Sequence, residues 1–503
     1  MNKRKTLIII CICLAFILIL IGSTFAYYRG VLFNDFTAST ITRGLDYYIN
    51  YTKGQDITSG TLSLSSDYSG GVSTDVELWK KDDTYNIYGH IYLDINDIGE
   101  NLSVSPALKY AVVNNGTVLS EGNLKNSVAG DSMLLKANIP LELSKQLYTV
   151  YVWLDQNENV DLTIEDEELS LMVRCEATMK KIAVGKVNDY ITNVYLTAEK
   201  KLVTNNGTEY NYAPSVKLMN DRLGGTTTNY DGGDIRYYGS DPNNYIYFNC
   251  KDYNVQNSIN CEKWRIIGLF DGKTKIIRDE SFGDMAWSYD KNFSAERTSS
   301  SNNWASSSLR LLLNHNYYAG VRTLYYSENS SFNFTPVLYL KNDETRNAIS
   351  ESQWYLGGYT SPSGLYAKDM YMYERTNIEG ATIYSGNPFV IDAKVGLMYA
   401  SDYSYASDLS VCKNNIGSYS SDKTNCVETN WLHTGTAQWV LGQNANYYNF
   451  VMSIHQEGSI NTNGGGGIVA STAYSVRPTL YLNSSVELNG GTGSFNSPYL
   501  IKL

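Results

Sequence analysis

Oxygen-bearing side chains recur at alternate positions in the stretch DQNENVDLTIED, which begins at residue 155. They fall at positions 1, 3, 5, 7 and 12 of a calcium-binding loop template, and they are Asp155, Asn157, Asn159, Asp161 and Asp166. Carboxylate and amide oxygens suit a hard divalent cation. However, Val160 stands where such loops need glycine for a sharp turn, and no helical pattern flanks the stretch. Two interpretations stay open, a calcium site and an acidic hairpin loop.

A second set of residues combines aromatic rings with side-chain amides near the C-terminal end of the sequence. Flat rings stack on the C–H faces of sugars or on peptide groups, and amides donate and accept hydrogen bonds. The predicted ligand-binding residues are Trp431, Asn444, Asn446, Tyr447, Tyr448, Asn461 and Asn463. Trp439 lies in the same region, but the apolar residues after it favour a place in the core. For the loop residues the alternative is an ordinary hydrated loop.

Seven cysteines occur in the chain, and two of them lie in an apolar leader. Short-range pairing of the others predicts the disulfides Cys250–Cys261 and Cys412–Cys426, and it leaves Cys175 as a small buried side chain. No CxxC or HxxxH spacing is present and the four histidines are scattered, which argues against a zinc site. The cysteines therefore predict structural cross-links.

The first residues predict that the chain is exported. Lys3, Arg4 and Lys5 precede an apolar run from Leu7 to Ile21, and basic residues at this position stay in the cytoplasm. Residues 1–27 are therefore a transmembrane anchor or a cleaved signal peptide, and the length of the run leaves both open. Disulfides are expected in the oxidising surroundings beyond the membrane.

Short motifs for catalysis are missing from the sequence. It contains no GxSxG, no P-loop and no GxGxxG. Asp279, Glu280 and Asp284 lie close together, but carboxylates at a strand exit usually belong to a hydrated turn. The net charge of −11 argues against binding to nucleic acid or to anionic lipid. We therefore expect a protein that is not an enzyme, with an extracellular hydrolase as the less favoured alternative because glycosidase carboxylates leave no short signature.

Alternating apolar and polar residues between 28 and 179 predict about seven strands at the spacing of an immunoglobulin-like β-sandwich. An Asn-Gly pair at 115–116 predicts a hairpin turn. Trp79 and Trp153 are expected to anchor the core. One predicted strand places five residues on a single face: Ile87, Gly89, Ile91, Leu93 and Ile95.

Residues 180–228 are predicted to form a short helix followed by a linker, because apolar residues recur there at helical spacing before a turn-rich stretch. Two strands that flank Asp271 and Gly272 form a predicted hairpin with two apolar faces, which indicates a central position in a sheet. A further helix is expected around Leu309, Leu312 and Leu313.

Several phrases in the C-terminal half resemble, in the expected order, a family of exported proteins from Gram-positive gut bacteria. They are RYYGSDPNNYIYFNC, KWRIIGLFDGKTKIIRDES, QWYLGGYTSPSGLYAKDMYMYE, VGLMYASDY and YSVRPTLYLNSSVEL. The resemblance implies a C-type-lectin-like domain over residues 229–503, on the scaffold that formylglycine-generating enzymes also use. Those enzymes need two late active-site cysteines, whereas Cys412 and Cys426 differ in spacing. The leader sequence GSTFAYY is also similar to leaders of camelysin- and TasA-like fibre proteins.

Together these patterns predict a mostly β protein with some α structure, made of a leader, a sandwich, a helix with linker and an α+β C-type-lectin-like domain. The expected function is that of a bacterial cell-surface or secreted binding protein, which recognises an extracellular glycan or protein through loops of its C-terminal domain. No cofactor is expected apart from the possible calcium. The alternative of another class is a structural subunit of a matrix or fibre.

Overall fold

The computed structural model describes residues 30–32, 49–58, 62, 64–125, 127–158, 167–179, 181–222, 233–288, 301–321, 339–361, 363–461 and 472–503. The chain divides into two compact units, Met1–Ile182 and Ala183–Leu503. The predicted leader lies outside the described residues. Within the described ranges, no helix combines the length and the apolar character needed to cross a bilayer. Strands predominate in both units, so the prediction of a mostly β protein is confirmed.

The described residues of the first unit form strands, a short α-helix, α1 (Glu100–Val104), and a 3-10 helical turn, Tyr68–Gly70. Its strands are β1 (Gly30–Leu32), β2 (Ile49–Lys53), β3 (Ile57–Thr58), β4 (Leu64–Ser65), β5 (Val72–Lys80), β6 (Tyr88–Ile98), β7 (Leu108–Asn114), β8 (Thr117–Asn123), β9 (Ser132–Pro140), β10 (Gln146–Asp155) and β11 (Leu169–Thr178). One sheet has the order β1-β11-β6-β9 with β3 beside β11, and the other has the order β2-β5-β10-β7-β8 with β4 beside β10.

The two sheets of the first unit share one apolar core. Val76 and Val150 come from one sheet, Ile91 and Val173 from the other, and all four are at most 2% exposed within a single cluster. Because successive side chains of a strand point to opposite faces, one face of each sheet is apolar. This arrangement is a β-sandwich, and the predicted inward face of β6 is confirmed. Cys175 is fully buried in the same core, as predicted.

Two finer predictions for the first unit have different outcomes. Asn115 and Gly116 adopt left-handed φ values of 47° and 76° between β7 and β8, which confirms the hairpin. Trp153 is buried, but Trp79 is only partly buried, so its predicted role as a core anchor is wrong. The Lys145 ammonium lies 4.8 Å from the centre of the Trp79 ring, so this ring makes a cation–π contact at the surface.

The second unit contains strands β12 (Val184–Lys186), β13 (Lys201–Asn205), β14 (Thr208–Ala213), β15 (Leu218–Asn220), β16 (Ile235–Tyr237), β17 (Tyr245–Phe248), β18 (Glu262–Phe270), β19 (Lys273–Arg278), β20 (Asp284–Ala286), β21 (Ile349–Ser350), β22 (Ser352–Tyr355), β23 (Val390–Ala393), β24 (Val395–Gly396), β25 (Gln438–Gln443), β26 (Val451–Ile454), β27 (Ile460–Asn461), β28 (Ala473–Ser475), β29 (Thr479–Leu482), β30 (Glu487–Gly490) and β31 (Leu500–Lys502). Its α-helices are α2 (Val187–Thr197), α3 (Ser308–Leu311), α4 (Asp343–Asn347), α5 (Ala367–Glu374) and α6 (Ala400–Ala406). A π-helical stretch, Leu312–Tyr318, continues α3.

A ten-stranded sheet organises the second unit, with the order β13-β14-β15-β16-β18-β19-β29-β21, β17 beside β18 and β24 beside β29. The predicted hairpin of β18 and β19 is confirmed, and it lies inside the sheet rather than at an edge. Asp271 and Gly272 have φ values of 48° and 73°, as a tight hairpin turn requires. A smaller sheet of order β12-β30-β31 joins the first strand of the unit to its last two.

The structure of residues 183–222 agrees with the predicted helix but not with the predicted linker. The helix is present as α2 and buries Val187, Ile191 and Tyr195. The residues after it are not a linker, because they form β13, β14 and β15 of the large sheet. Tyr210 and Tyr212 alternate along β14, and both are 1% exposed in a small apolar cluster of their own. Burial of these two rings stabilises β14 in the sheet, although the surrounding residues are mostly polar.

Both predicted disulfides are present in the second unit. Cys250 and Cys261 connect the segment after β17 to the start of β18, which are antiparallel neighbours. Cys412 and Cys426 connect the segment after α6 to a short π-helical turn, Lys423–Val427. All four side chains are buried. The Asn205 amide donates hydrogen bonds to the carbonyls of Cys412 (2.7 Å) and Leu409 (3.0 Å), so the second disulfide also fixes the edge strand β13.

Candidate functional site

The loop of residues 444–450 joins β25 to β26 and carries four of the predicted ligand-binding residues. We name it the tyrosine loop. Tyr447 is 49% exposed and Tyr448 is 44% exposed, which is unusual for large aromatic side chains in a unit with so extensive a core. Asn446, which immediately precedes Tyr447, is exposed as well. The structure therefore brings Asn446, Tyr447 and Tyr448 together at one surface.

The buried amide of Asn302 holds the backbone of the tyrosine loop. Its Nδ2 donates to the carbonyl oxygens of Asn444 (3.0 Å), Tyr447 (2.9 Å) and Phe450 (3.1 Å). Its backbone N–H donates to the carbonyl of Tyr448 at 2.6 Å. Asn302 is only 1% exposed, so these bonds form away from water. One residue from a distant part of the sequence thus fixes four carbonyls of the loop.

A second layer of amides orients Asn302 itself. Asn387 Nδ2 donates to Asn302 Oδ1 at 2.8 Å and to Gln443 Oε1 at 2.6 Å. Gln443 Nε2 in turn donates to the carbonyl of Leu356 at 2.7 Å. Because each amide both donates and accepts, the chain of bonds permits one orientation of each side chain. The loop is therefore pre-organised, and a ligand would not need to order it.

Aromatic neighbours support the two exposed tyrosines from below. The ring centres of Tyr448 and Tyr384 are 6.3 Å apart, and those of Tyr447 and Phe450 are 5.1 Å apart. Such tilted pairs fix a ring while leaving much of it in contact with water. The loop thus presents flat apolar surfaces beside the exposed amide of Asn446. These groups can stack on a sugar or peptide and hydrogen-bond to its polar atoms.

Asn444 supports the loop and is not available to a ligand, which corrects its predicted role. It is fully buried. Its Oδ1 accepts the backbone N–H groups of Asn446 (2.9 Å) and Tyr447 (3.2 Å). Its Nδ2 donates to the carbonyl of Thr360 at 3.1 Å. A short amide that caps a turn in this way is a common structural use of asparagine.

Trp431 belongs to the core, so its predicted place in the ligand site is wrong. The side chain is 7% exposed, and its indole N–H donates to the carbonyl of Tyr237 at 3.0 Å. The Arg265 guanidinium stacks on the ring, 4.5 Å from its centre. Both the apolar surface and the polar atom of the indole are thus used inside the protein.

Asn461 lies apart from the tyrosine loop. It lines a polar cavity of about 340 Å³ together with Ser418, Ser420, His455, Ser459 and Ile460. Because β26 runs between the tyrosine loop and the turn at 455–459, the two features are at opposite ends of that strand. Asn463 lies outside the described residues. The predicted ligand-binding set is therefore divided, and only Asn446, Tyr447 and Tyr448 form an exposed group.

Two of the predicted calcium ligands, Asp155 and Asn157, lie in the described part of the chain. Asp155 Oδ2 accepts from Lys109 Nζ at 2.6 Å, and Asp155 Oδ1 accepts from the Asn157 backbone N–H and from Asn157 Nδ2, both at 2.9 Å. The bond from the Lys109 ammonium, followed by that from Asn157, lowers the pKa of Asp155. An ammonium group is thus the cation of this carboxylate.

The other calcium candidates, Asn159, Asp161 and Asp166, lie outside the described residues. Among the side chains that the structure does describe, no group of three or more His, Cys, Asp or Glu is arranged to hold a metal ion.

A cluster of buried charges in the second unit has no counterpart among the predicted sites. Arg236 Nε is 2.8 Å from Asp221 Oδ2, its Nη1 is 3.2 Å from Asp402 Oδ1, and its Nη2 is 3.5 Å from Asp234 Oδ2. Lys275 Nζ donates to Asp402 Oδ2. We name these five residues the charge cluster. Each is at most 5% exposed, so the cluster offers a substrate no access.

Burial shifts the pKa values of two members of the charge cluster. It raises the pKa of Asp234 to about 7, with the Asp221 charge acting in the same direction and Arg236 opposing it. It lowers the pKa of Lys275 to about 8, with Asp402 opposing the shift. Shifts of this kind are frequent at active sites. Here the enclosed position indicates a structural or internal chemical role instead.

We expect Asn302→Asp to loosen the tyrosine loop, because a carboxylate cannot donate to the three carbonyls that Asn302 now satisfies. Loss of a buried donor costs about 1–3 kcal/mol, which corresponds to roughly ten- to a hundredfold more frequent local opening. Cleavage by chymotrypsin after Tyr447 and Tyr448 should accelerate accordingly. Asn446→Asp is the matched control, since it makes the same chemical change at an exposed position of the same loop. Equal cleavage rates of the Asn302→Asp variant and the wild type would contradict this support.

Comparison with protein-family models and with curated proteins finds no match for this chain. The geometry of the tyrosine loop is therefore the basis on which a function can be proposed.

Proposed function

We propose that this chain is an exported bacterial binding protein, displayed at the cell surface or secreted, which recognises an extracellular glycan through the tyrosine loop. The observation that carries the proposal is the combination of two half-exposed tyrosine rings with a buried amide network that fixes their backbone. Binding residues commonly lie on loops that a rigid scaffold positions. The tyrosine loop is such a loop, because its backbone is fixed and it exposes two aromatic rings and one amide.

Export is supported by the leader pattern and by the two disulfides. Lys3, Arg4 and Lys5 before an apolar run are typical of a segment that directs the rest of the chain across a membrane. Disulfides persist mainly in oxidising compartments. We therefore propose that residues 1–27 serve as an anchor or as a signal peptide and that the two units act outside the cell.

The finer architecture is part of the same proposal. We propose an immunoglobulin-like class for the sandwich of the first unit, supported by two sheets that enclose one core. For the second unit we propose a C-type-lectin-like fold, supported by the ordered phrases that resemble the exported family. In this organisation the sandwich precedes the proposed ligand-binding unit along the chain.

A glycan fits the loop better than a protein partner does. A stable protein interface usually buries about 800 Å² on each side, whereas two rings and one amide offer far less. Stacking of tyrosine on the C–H face of a sugar needs only one ring for each sugar unit. The net charge of −11 favours a neutral ligand over an acidic one. We expect weak binding of neutral sugars to each copy, strengthened where several copies act together.

Removal of both exposed rings should abolish glycan binding. For Tyr447→Ala/Tyr448→Ala we expect at least a tenfold loss of signal on a glycan array, since stacking of about 1 kcal/mol or more for each ring is lost. The measurement compares the full chain with and without the two substitutions on the same array. Unchanged thermal unfolding of the variant would show that the fold is intact.

Tyr85→Ala is the control for this experiment, because Tyr85 is as exposed as Tyr448 at 44% but lies in the first unit. It should bind like the wild type. If the double variant retains the glycans that the wild type binds, the tyrosine loop is not the ligand site. If the wild type binds no glycan on a broad array, the proposed ligand class is wrong.

A further inference from the structure

The pair of Lys275 and Asp402 in the charge cluster has the composition of an amide bond plus one water molecule. Lys275 lies in β19 and Asp402 lies in the first turn of α6. Lys275 Nζ contacts Asp402 Oδ2, and both side chains have no exposed surface. We propose that these two side chains condense into an intramolecular isopeptide cross-link between Nζ and Cγ. This modification is independent of the proposed glycan binding.

Aromatic rings enclose the lysine nitrogen. The ring centres lie 4.1 Å (Tyr399), 5.2 Å (Phe270), 5.4 Å (Trp354) and 5.5 Å (Tyr481) from Nζ. Removal from water disfavours the charged ammonium, and burial lowers the pKa of Lys275 to about 8, with the Asp402 charge opposing the shift. An appreciable fraction of the amine is then unprotonated near neutral pH. The free amine is the form that can attack a carboxyl carbon.

The carboxyl group is held by donors that can stabilise the reaction. Arg236 Nη1 lies 3.2 Å from Asp402 Oδ1, the oxygen that would remain as the amide carbonyl. As Nζ attacks Cγ, negative charge grows on this oxygen beside the guanidinium, which stabilises the tetrahedral intermediate. The Tyr399 backbone N–H donates to Oδ2 at 2.9 Å and fixes the plane of the carboxyl group. The carboxyl group is thus fixed in contact with the amine.

The step balances without a further reagent. The Nζ–Cγ bond forms and the Cγ–Oδ2 bond breaks. One proton of the ammonium passes to Oδ2 before the attack, and a second leaves nitrogen afterwards, so that Oδ2 departs as water. One ammonium and one carboxylate become one neutral amide and one water, and no oxidation takes place.

Enclosure also explains why this pair differs from ordinary ion pairs of the chain. Groups held in reacting geometry gain an effective concentration of roughly 10⁵–10⁸ M over free reactants. Exclusion of solvent also protects the amide from hydrolysis. Lys109 and Asp155 provide an internal comparison, since they are 2.6 Å apart but 26% and 11% exposed. Water reaches that pair, and we expect it to remain ionic.

Mass spectrometry of the full chain tests the cross-link. After reduction of the disulfides and denaturation, the mass should fall short of the sequence by one water, with the mature N-terminus identified in the same digest. A tryptic map should contain a branched peptide that joins the segments around residues 275 and 402. Peptides that contain Lys109 and Asp155 should be unbranched.

In Lys275→Met the water should be retained and the branched peptide should be missing. The wild-type measurement decides the question even if this variant does not fold. A wild-type chain with the full sequence mass and with separate, unmodified peptides for Lys275 and Asp402 would overturn the proposal. A water lost at any other position would overturn it as well.

Discussion

Replacing Arg236 with methionine is expected to lower the free energy of unfolding of the second unit by about 3–5 kcal/mol, enough to unfold it in many conditions. Methionine has a similar length, but it leaves the buried carboxylates of Asp221 and Asp234 without their main cation. A buried charge without a partner costs far more than the pair contributes. Urea unfolding followed by near-UV circular dichroism, which reports on buried aromatic rings, measures the change.

Arg222→Met is the matched control for Arg236→Met. Arg222 also pairs with a carboxylate, at 3.1 Å from Glu209, but the two side chains are 37% and 53% exposed. Solvent screens this pair, so its loss should change the free energy of unfolding by at most about 1 kcal/mol. If both variants lost similar small amounts, the charge cluster would not be an electrostatic unit of the core.

Removal of the disulfide between Cys412 and Cys426 is the second change with a large expected effect. Cys412→Ala/Cys426→Ala should lower the free energy of unfolding of the second unit by about 3 kcal/mol, because the cross-link restricts the unfolded chain. Alanine keeps the backbone carbonyl of Cys412 that accepts from the Asn205 amide, so this bond to the edge strand β13 should persist in the folded variant. Urea unfolding of the variant and of the wild type under non-reducing conditions gives the difference.

Cys175→Ala serves as the control for the disulfide variant. Cys175 is buried in the first unit, so its replacement should leave the unfolding transition of the second unit at the wild-type urea concentration. The paired alanine variant of Cys250 and Cys261 should resemble that of Cys412 and Cys426, since the loops differ little in length. A transition of the Cys412→Ala/Cys426→Ala variant within about 1 kcal/mol of the wild type would contradict the expected role.

Local signals in the sequence predict the parts of the fold that depend on neighbouring residues. Alternation along β6 and the turns at Asn115-Gly116 and Asp271-Gly272 need only a few adjacent side chains to be recognised. The same signal is present at Asn206-Gly207, where φ values of 45° and 74° make the turn between β13 and β14. Polar residues surround this turn and its tyrosines are buried only by distant segments, so the sequence alone predicts a linker there.

Only part of the candidate site can be predicted from local sequence. Exposed Tyr447 and Tyr448 could be predicted from their place between two strands, because loops display their side chains. Asn302 could not be, since it lies far away in the sequence and resembles any other asparagine near a helix start. The charge cluster is similar, because Lys275 and Asp402 meet only through the tertiary fold. One signal was visible, namely a lysine between Thr274 and Ile276 in a strand that is buried on both faces.

The small sheet of β12, β30 and β31 has a consequence for the modularity of the second unit. β12 pairs with β30, and β30 also pairs with β31, so the first and the last strand of the second unit lie in one small sheet. Domains with adjacent ends tolerate circular permutation and insertion into a loop of a host protein. We therefore expect the second unit to fold when it is inserted into a surface loop of a host protein. We also expect it to tolerate circular permutation, in which a short peptide joins its two ends and new termini are placed in another loop.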